Sequence, residues 1–124
     1  MRTDGCTSRV IAGRLAKAEE FLENAELLAD DEQRRNAASS LFVNAGIAAA
    51  DVVCCKRLGV HAKGPDHNDA VVLLEKVDAE LAKHLRRLLV NRSRVTYSAQ
   101  GLPVSEFTKI QRSAIQLVAA ARHA

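Results

Sequence analysis

The stretch that decides the fold reads Asn36-Ala-Ala-Ser-Ser-Leu-Phe-Val-Asn-Ala-Gly-Ile-Ala-Ala-Ala-Asp-Val-Val-Cys-Cys-Lys-Arg-Leu58. Apolar or small residues recur at Ala38, Leu41, Ala45, Ala48, Val52 and Cys55, a spacing of three or four that keeps one helix face dry. Ala37, Ser39, Gly46, Ala49 and Ala50 keep the flanking positions small, so neighbouring helices can approach from more than one side. The reading is a central core helix from about Gln33 to Leu58, stopped by Gly59, the residue best suited to a left-handed cap. Asp51 is the one ionisable residue inside the small-residue run.

Outward from this helix, the chain reads as helices on both sides. Thr7 or Ser8 caps a first helix reaching to about Ala29, with an inward line Ile11, Leu15, Ala18, Leu22, Ala25 and Leu28 or Ala29. Asp30 and Asp31 make a short connection, so the first two helices are expected to lie antiparallel. Val60 to Asp66 is a loop, with Pro65 as breaker and Asp66 as N-cap of a third helix, His67 to about Val77, whose Ala70, Val71, Leu74 and Val77 point inward. A fourth helix, Ala79 to about Val95, packs Leu81, Leu85, Leu88 and Leu89 and either continues the third or starts at Asp78. After a loop from Tyr97 to Val104, Ser105 and Glu106 open a final helix with Phe107, Ile110, Ala114, Leu117, Val118 and Ala121 inward. The expected fold is all-α, an antiparallel four-to-five-helix up-and-down bundle, with residues 1–8 a flexible N-terminal tail and residues 9–124 one domain.

Composition supports this and narrows the function. Aromatic residues are only Phe21, Phe42, Phe107 and Tyr97, too few for a typical sheet protein. Cys54 and Cys55 are adjacent and Cys6 falls in the tail, so no disulfide framework is expected and a cytoplasmic, reducing setting follows. No signal peptide is expected, since the N-terminus lacks an apolar h-region, and no apolar run near the roughly 20 residues of a membrane span is expected either. Charge is uneven: Met1 to Glu32 carries four basic and eight acidic residues, whereas Leu81 to Ala124 carries eight basic residues against Glu106 alone. That basic third suits a polyanion such as RNA, the acidic end of a second copy, or a solvated helix face.

No glycine-rich phosphate loop, zinc-protease helix motif or paired Cys-x-x-Cys spacing is present, and no catalytic residue, metal site or cofactor is assigned. Asp51, beside the dry face of the central helix, needs a partner: Arg92, Arg94, the Tyr97 hydroxyl or His67. The Leu81, Leu85, Leu88 line, continued by one turn, reaches Arg92. The run Asn91-Arg-Ser-Arg-Val-Thr-Tyr97 gathers guanidiniums, an amide, hydroxyls and the sole Tyr where the fourth helix ends. Such groups suit phosphate contacts and base stacking, or equally a helix C-terminus whose cations offset its dipole. The ligand-binding candidates are therefore Arg92, Arg94, Tyr97, Asn91, Asp51 and His67.

Ala45-Gly-Ile-Ala-Ala-Ala-Asp51, the Leu58-Gly59 stop, the loop closing on Gly64-Pro-Asp-His67, Val72-Leu-Leu-Glu75 and the Arg-rich fourth helix together resemble the HEPN domain, over about Val10 to Ala121. The resemblance implies a cytosolic helical homodimer with the end of the fourth helix in a cleft between subunits. It also implies a setting among toxin–antitoxin or other defence systems. Many such domains are metal-independent ribonucleases with an Arg and, a few residues on, a His; others bind RNA or nucleotide, or serve as scaffolds. Here Arg92 matches the Arg, but Tyr97 stands where the His is expected, and no Arg elsewhere has a His at that spacing. A phenol with a pKa of about 10 is a poor proton shuttle near neutrality. The expectation is a non-catalytic domain binding RNA or a phosphate ligand in a basic cleft of a homodimer. The alternatives are a module pairing with a nucleotidyltransferase-type antitoxin partner, and an active ribonuclease using Tyr97 or His67.

Overall fold

The computed structural model describes residues 1–124, and the chain folds into five helices with a two-stranded ribbon. Helix α1 spans Ser8–Leu28, capped by Thr7, whose side chain accepts from the Val10 amide at 3.1 Å. Asp31 then accepts from the Gln33 amide and starts a single tight turn, Glu32–Arg34, that runs into α2, Arg35–Leu58. Gly59 ends α2 at φ 78°, a left-handed cap that a Cβ would strain, and its amide donates to the Cys55 carbonyl. The shorter α3, Asn68–Glu75, and α4, Ala79–Tyr97, are separate helices: Asp78 breaks the chain between them and accepts from the Glu80 and Leu81 amides. Helix α5, Val104–His123, begins after Pro103 without a side-chain cap, one residue earlier than Ser105 suggests.

Helix α2 packs against all four other helices, and buries residues around most of its circumference: Ala38, Ser39, Phe42, Val43, Ala45, Gly46, Ala49, Ala50, Val52, Val53, Cys54 and Cys55. Gly46 is a point of close approach between α2, α4 and α5. A Cβ there would collide with Leu88 of α4 and lie 3.2 Å from Leu117 of α5. Helix α5 buries all six residues of its expected inward line. The dry stripe of α4 is rotated from expectation: Ala82, Leu85, Leu88, Asn91 and Val95 are buried, while Leu81 and Leu89 are half-buried at the margin.

Three expectations are corrected. Thr3–Gly5, placed in a tail by the sequence reading, form β1, which pairs antiparallel with β2, Val60–Ala62, inside the segment read as a loop. Cys6 is joined to Cys55 by a disulfide, which removes the cysteine argument for a reducing compartment. Cys55 lies in the last turn of α2, just before the chain turns into β2, so ribbon pairing brings Cys6 to it. By length and hydropathy alone Glu32–Leu58 does qualify as long enough to cross a membrane, but 67% of its apolar window is buried inside the bundle.

Candidate anion-binding site on helix α4

The rotation of α4 decides where its cations go. With Asn91 and Val95 in the buried stripe, Arg92 emerges beside it on the flank that meets α2. There it lines a cavity of about 120 Å³ with Ser40, Val43 and Asn44 of α2 and Val95 and Thr96 of α4. On its other side it lines a second hollow of about 270 Å³ with Pro65, Asp66, His67, Asn68, Leu89 and Ser93. Arg92 thus stands between two hollows furnished with hydroxyls, amides and an imidazole. No carboxylate lies within ion-pair distance of it or of Arg94, although Lys83 and Arg86, earlier on the same helix, pair with Glu80 and Glu75. The first hollow has no acidic lining residue; the second has Asp66, whose Oδ1 accepts from the Asn68 amide.

The six sequence candidates do not form one cluster. Arg92 and His67 share the second hollow. Asn91 is buried and turned elsewhere: its Nδ2 donates to the Arg87 carbonyl at 2.9 Å, and it borders a different hollow with Lys83, Arg86, Arg87 and Glu106. Arg94 and Tyr97 are exposed, Tyr97 at 84%, and line neither hollow. With Val90, 74% exposed, they share one outward face of α4 at a spacing of four and then three residues. Ser40 and Asn44, one turn apart on α2, are absent from the sequence candidates, whereas Thr96 lies inside the Asn91-to-Tyr97 run that was singled out.

Asp51 belongs to a separate site, and its partner is none of the four expected. Arg14 of α1 donates from Nη1 to Asp51 Oδ2 at 3.0 Å, while the Arg14 Nε is buried without an acceptor. The pair lines a cavity of about 330 Å³ under the ribbon with Asp4, His61, Lys63, Asp66 and His67. Burial pushes the Asp51 carboxyl above its usual range, and the nearby Arg14, followed by His61 and His67, only partly opposes this. His61 is buried and donates from Nδ1 to its neighbouring Ala62 carbonyl, since a carbonyl can only accept. No three His, Cys, Asp or Glu side chains converge closely enough to hold a metal ion.

Compared with known protein families and with curated proteins, the chain matches no family model and no curated sequence.

Proposed function

We propose that this chain is a HEPN-like domain that binds RNA or a nucleotide through its phosphate, with Arg92 as the anchoring cation and a homodimer as the working unit. One observation carries the reading: Arg92 is exposed, ion-paired with no carboxylate, and set between two polar hollows. An Arg fork held among hydroxyls and amides suits a phosphate, which accepts from all of them. The phosphate fits better on the α2 side, where Ser40, Asn44 and Thr96 supply donors and no acid repels it; sugar or base then falls toward His67 and Asn68. The exposed Val90, Arg94 and Tyr97 on the outward face of α4 are the surface on which a second copy would pack.

The test is fluorescence anisotropy with a labelled short single-stranded RNA and, separately, ATP at low salt. Arg92→Ala is expected to weaken binding about tenfold or more, since a charge-assisted bidentate contact is worth about 1.5–3 kcal/mol. Absence of binding by the wild-type chain at low salt contradicts the proposal.

A second reading is favoured by His67 sharing a hollow with Arg92. Here an imidazole supplied from the loop replaces the one missing five positions after Arg92. It takes the proton of an RNA 2′-hydroxyl as that oxygen attacks phosphorus; the 5′-oxygen leaves with a proton from water, giving a 2′,3′-cyclic phosphate and a 5′-hydroxyl, and Arg92 steadies the charge on the phosphorane. Cleavage of RNA by pure protein in chelator, lost in His67→Ala and in Arg92→Ala, would establish it; intact RNA after long incubation would dismiss it.

A further inference from the structure

We propose that the Cys6–Cys55 disulfide is a reversible redox site, a latch whose opening by a dithiol reductant frees β1 and loosens the Lys63–His67 loop beside Arg92. The effect on Arg92 deepens the phosphate-binding reading and rests on it; the latch itself does not.

The argument begins with what holds β1 in place. All three of its residues are exposed, so it buries almost nothing. Its noncovalent ties are the pairing of Thr3, Asp4 and Gly5 with Ala62, His61 and Val60, the Cys6 amide to the Gly59 carbonyl at 3.2 Å, the Lys63 amide to the Arg2 carbonyl at 2.9 Å, and the Lys63–Asp4 ion pair at 3.7 Å. A two-stranded ribbon this short is marginal in water, so the covalent link decides whether it persists. The other strand is different: His61 is buried and Val60 and Ala62 are half-buried, so β2 stays on the core when β1 leaves.

The chemistry balances without further components. A thiolate of the dithiol attacks Sγ of Cys6, which is half-buried whereas Cys55 is buried, and the Cys55 sulfur leaves and takes up a proton. The second thiol of the reductant then resolves the mixed disulfide, leaving Cys6 as a thiol and the reductant as its own disulfide; two electrons and two protons have moved. The neighbouring Cys54 does not intervene. Burial, aided by the Asp51 charge, pushes its thiol up to about 12. At pH 7 the thiolate is then only about one part in 10⁵, too little to reshuffle the bond. The latch has two covalent states.

Opening it reaches the Arg92 site through the loop. The Lys63-to-Arg2 bond is the only backbone hydrogen bond by which Lys63, Gly64 or Pro65 reaches another element, and Lys63 also loses Asp4. Asp66 and His67, which follow directly, line both the cavity under the ribbon and the hollow of Arg92. Reduction therefore removes one wall of the first and unfixes one wall of the second.

The experiment is hydrogen exchange on the full chain, air-oxidised and treated with dithiothreitol, alongside Cys6→Ser, with RNA anisotropy on the same samples. Reduction is expected to bring the Cys6 and Lys63 amides to within about tenfold of unstructured-peptide rates while α2 and α5 keep their protection. Cys6→Ser should match the reduced protein without treatment, and RNA affinity should fall about tenfold. A native mass without the disulfide, ribbon amides still protected after reduction, or helices unfolding together with the ribbon would each overturn the latch. Ribbon release with unchanged RNA affinity would overturn its coupling to Arg92. If RNA binds in neither redox state, the phosphate-binding reading fails and the exchange data alone decide the latch.

Discussion

Arg14 and Arg92 lie on helices that flank α2, each beside a polar hollow, yet their circumstances are opposite. Arg14 is ion-paired at 3.0 Å with a carboxylate from α2, and its side chain is 37% exposed. Arg92 is exposed and forms no ion pair, although Asp66 shares one of its hollows. A guanidinium ion-paired within its own fold acts as structure, because removing it strands a half-buried charge. One left unsatisfied in a polar hollow is available to an outside anion.

The largest effect should come from the structural side of this comparison. Arg14→Ala leaves Asp51 without its partner, and urea denaturation should show a loss of about 2–4 kcal/mol, somewhat below the cost for a fully buried pair because Arg14 is partly solvated. RNA affinity should be unchanged in that variant. If instead stability holds and affinity falls, the two arginines have exchanged roles.

Next in size is Gly46→Ala. The added methyl would collide with Leu88 and crowd Leu117, so the junction of α2, α4 and α5 must spread, at about 1–3 kcal/mol by thermal or urea unfolding. Because Leu88 sits one turn before Arg92 on α4, this variant also asks whether moving the helix disturbs the hollow. By contrast, Arg92→Ala removes an exposed side chain with no ion pair, and its stability should stay within about 0.5 kcal/mol of wild type while its affinity falls.

The smallest effect concerns His84, whose Nδ1 lies 3.0 Å from the Oγ of fully buried Ser113, with Arg87 Nη1 at 3.4 Å from the same oxygen. Burial first and then Arg87 lower its pKa below the usual 6.5. The unfolded chain therefore binds more protons than the native one between the lowered value and 6.5, so native stability falls as pH drops through that window and is fully retained above it. Urea midpoints of His84→Gln should show less of this decline than wild type; parallel curves would mean that His84 is not its source.

How much of this could be read beforehand depends on the range of the interactions. The helices were legible because their evidence is local: the Phe107-to-Ala121 line of α5 is buried as its spacing requires, and Asp31, Asp66 and Asp78 each accept a backbone amide where a helix or turn begins. The ribbon was not, since three-residue strands carry no usable period, and the Cys6–Cys55 bond spans a sequence separation of 49. Asp51 was rightly read as needing a partner, but that partner lies 37 positions away. A hint existed: Arg14 falls at helical spacing between Ile11 and Ala18, inside the inward stripe of α1. At the candidate site, Arg92 was legible from the Leu81, Leu85, Leu88 line, whereas the separation of Asn91 and Tyr97 from it depends on the rotation of α4 that packing sets.

The most direct test of the account is the salt dependence of RNA binding. Each phosphate contact on a single strand contributes a slope of about −0.7 to log K against log salt concentration, so Arg92→Ala should flatten the wild-type line by about 0.7. Parallel lines for wild type and Arg92→Ala would contradict it.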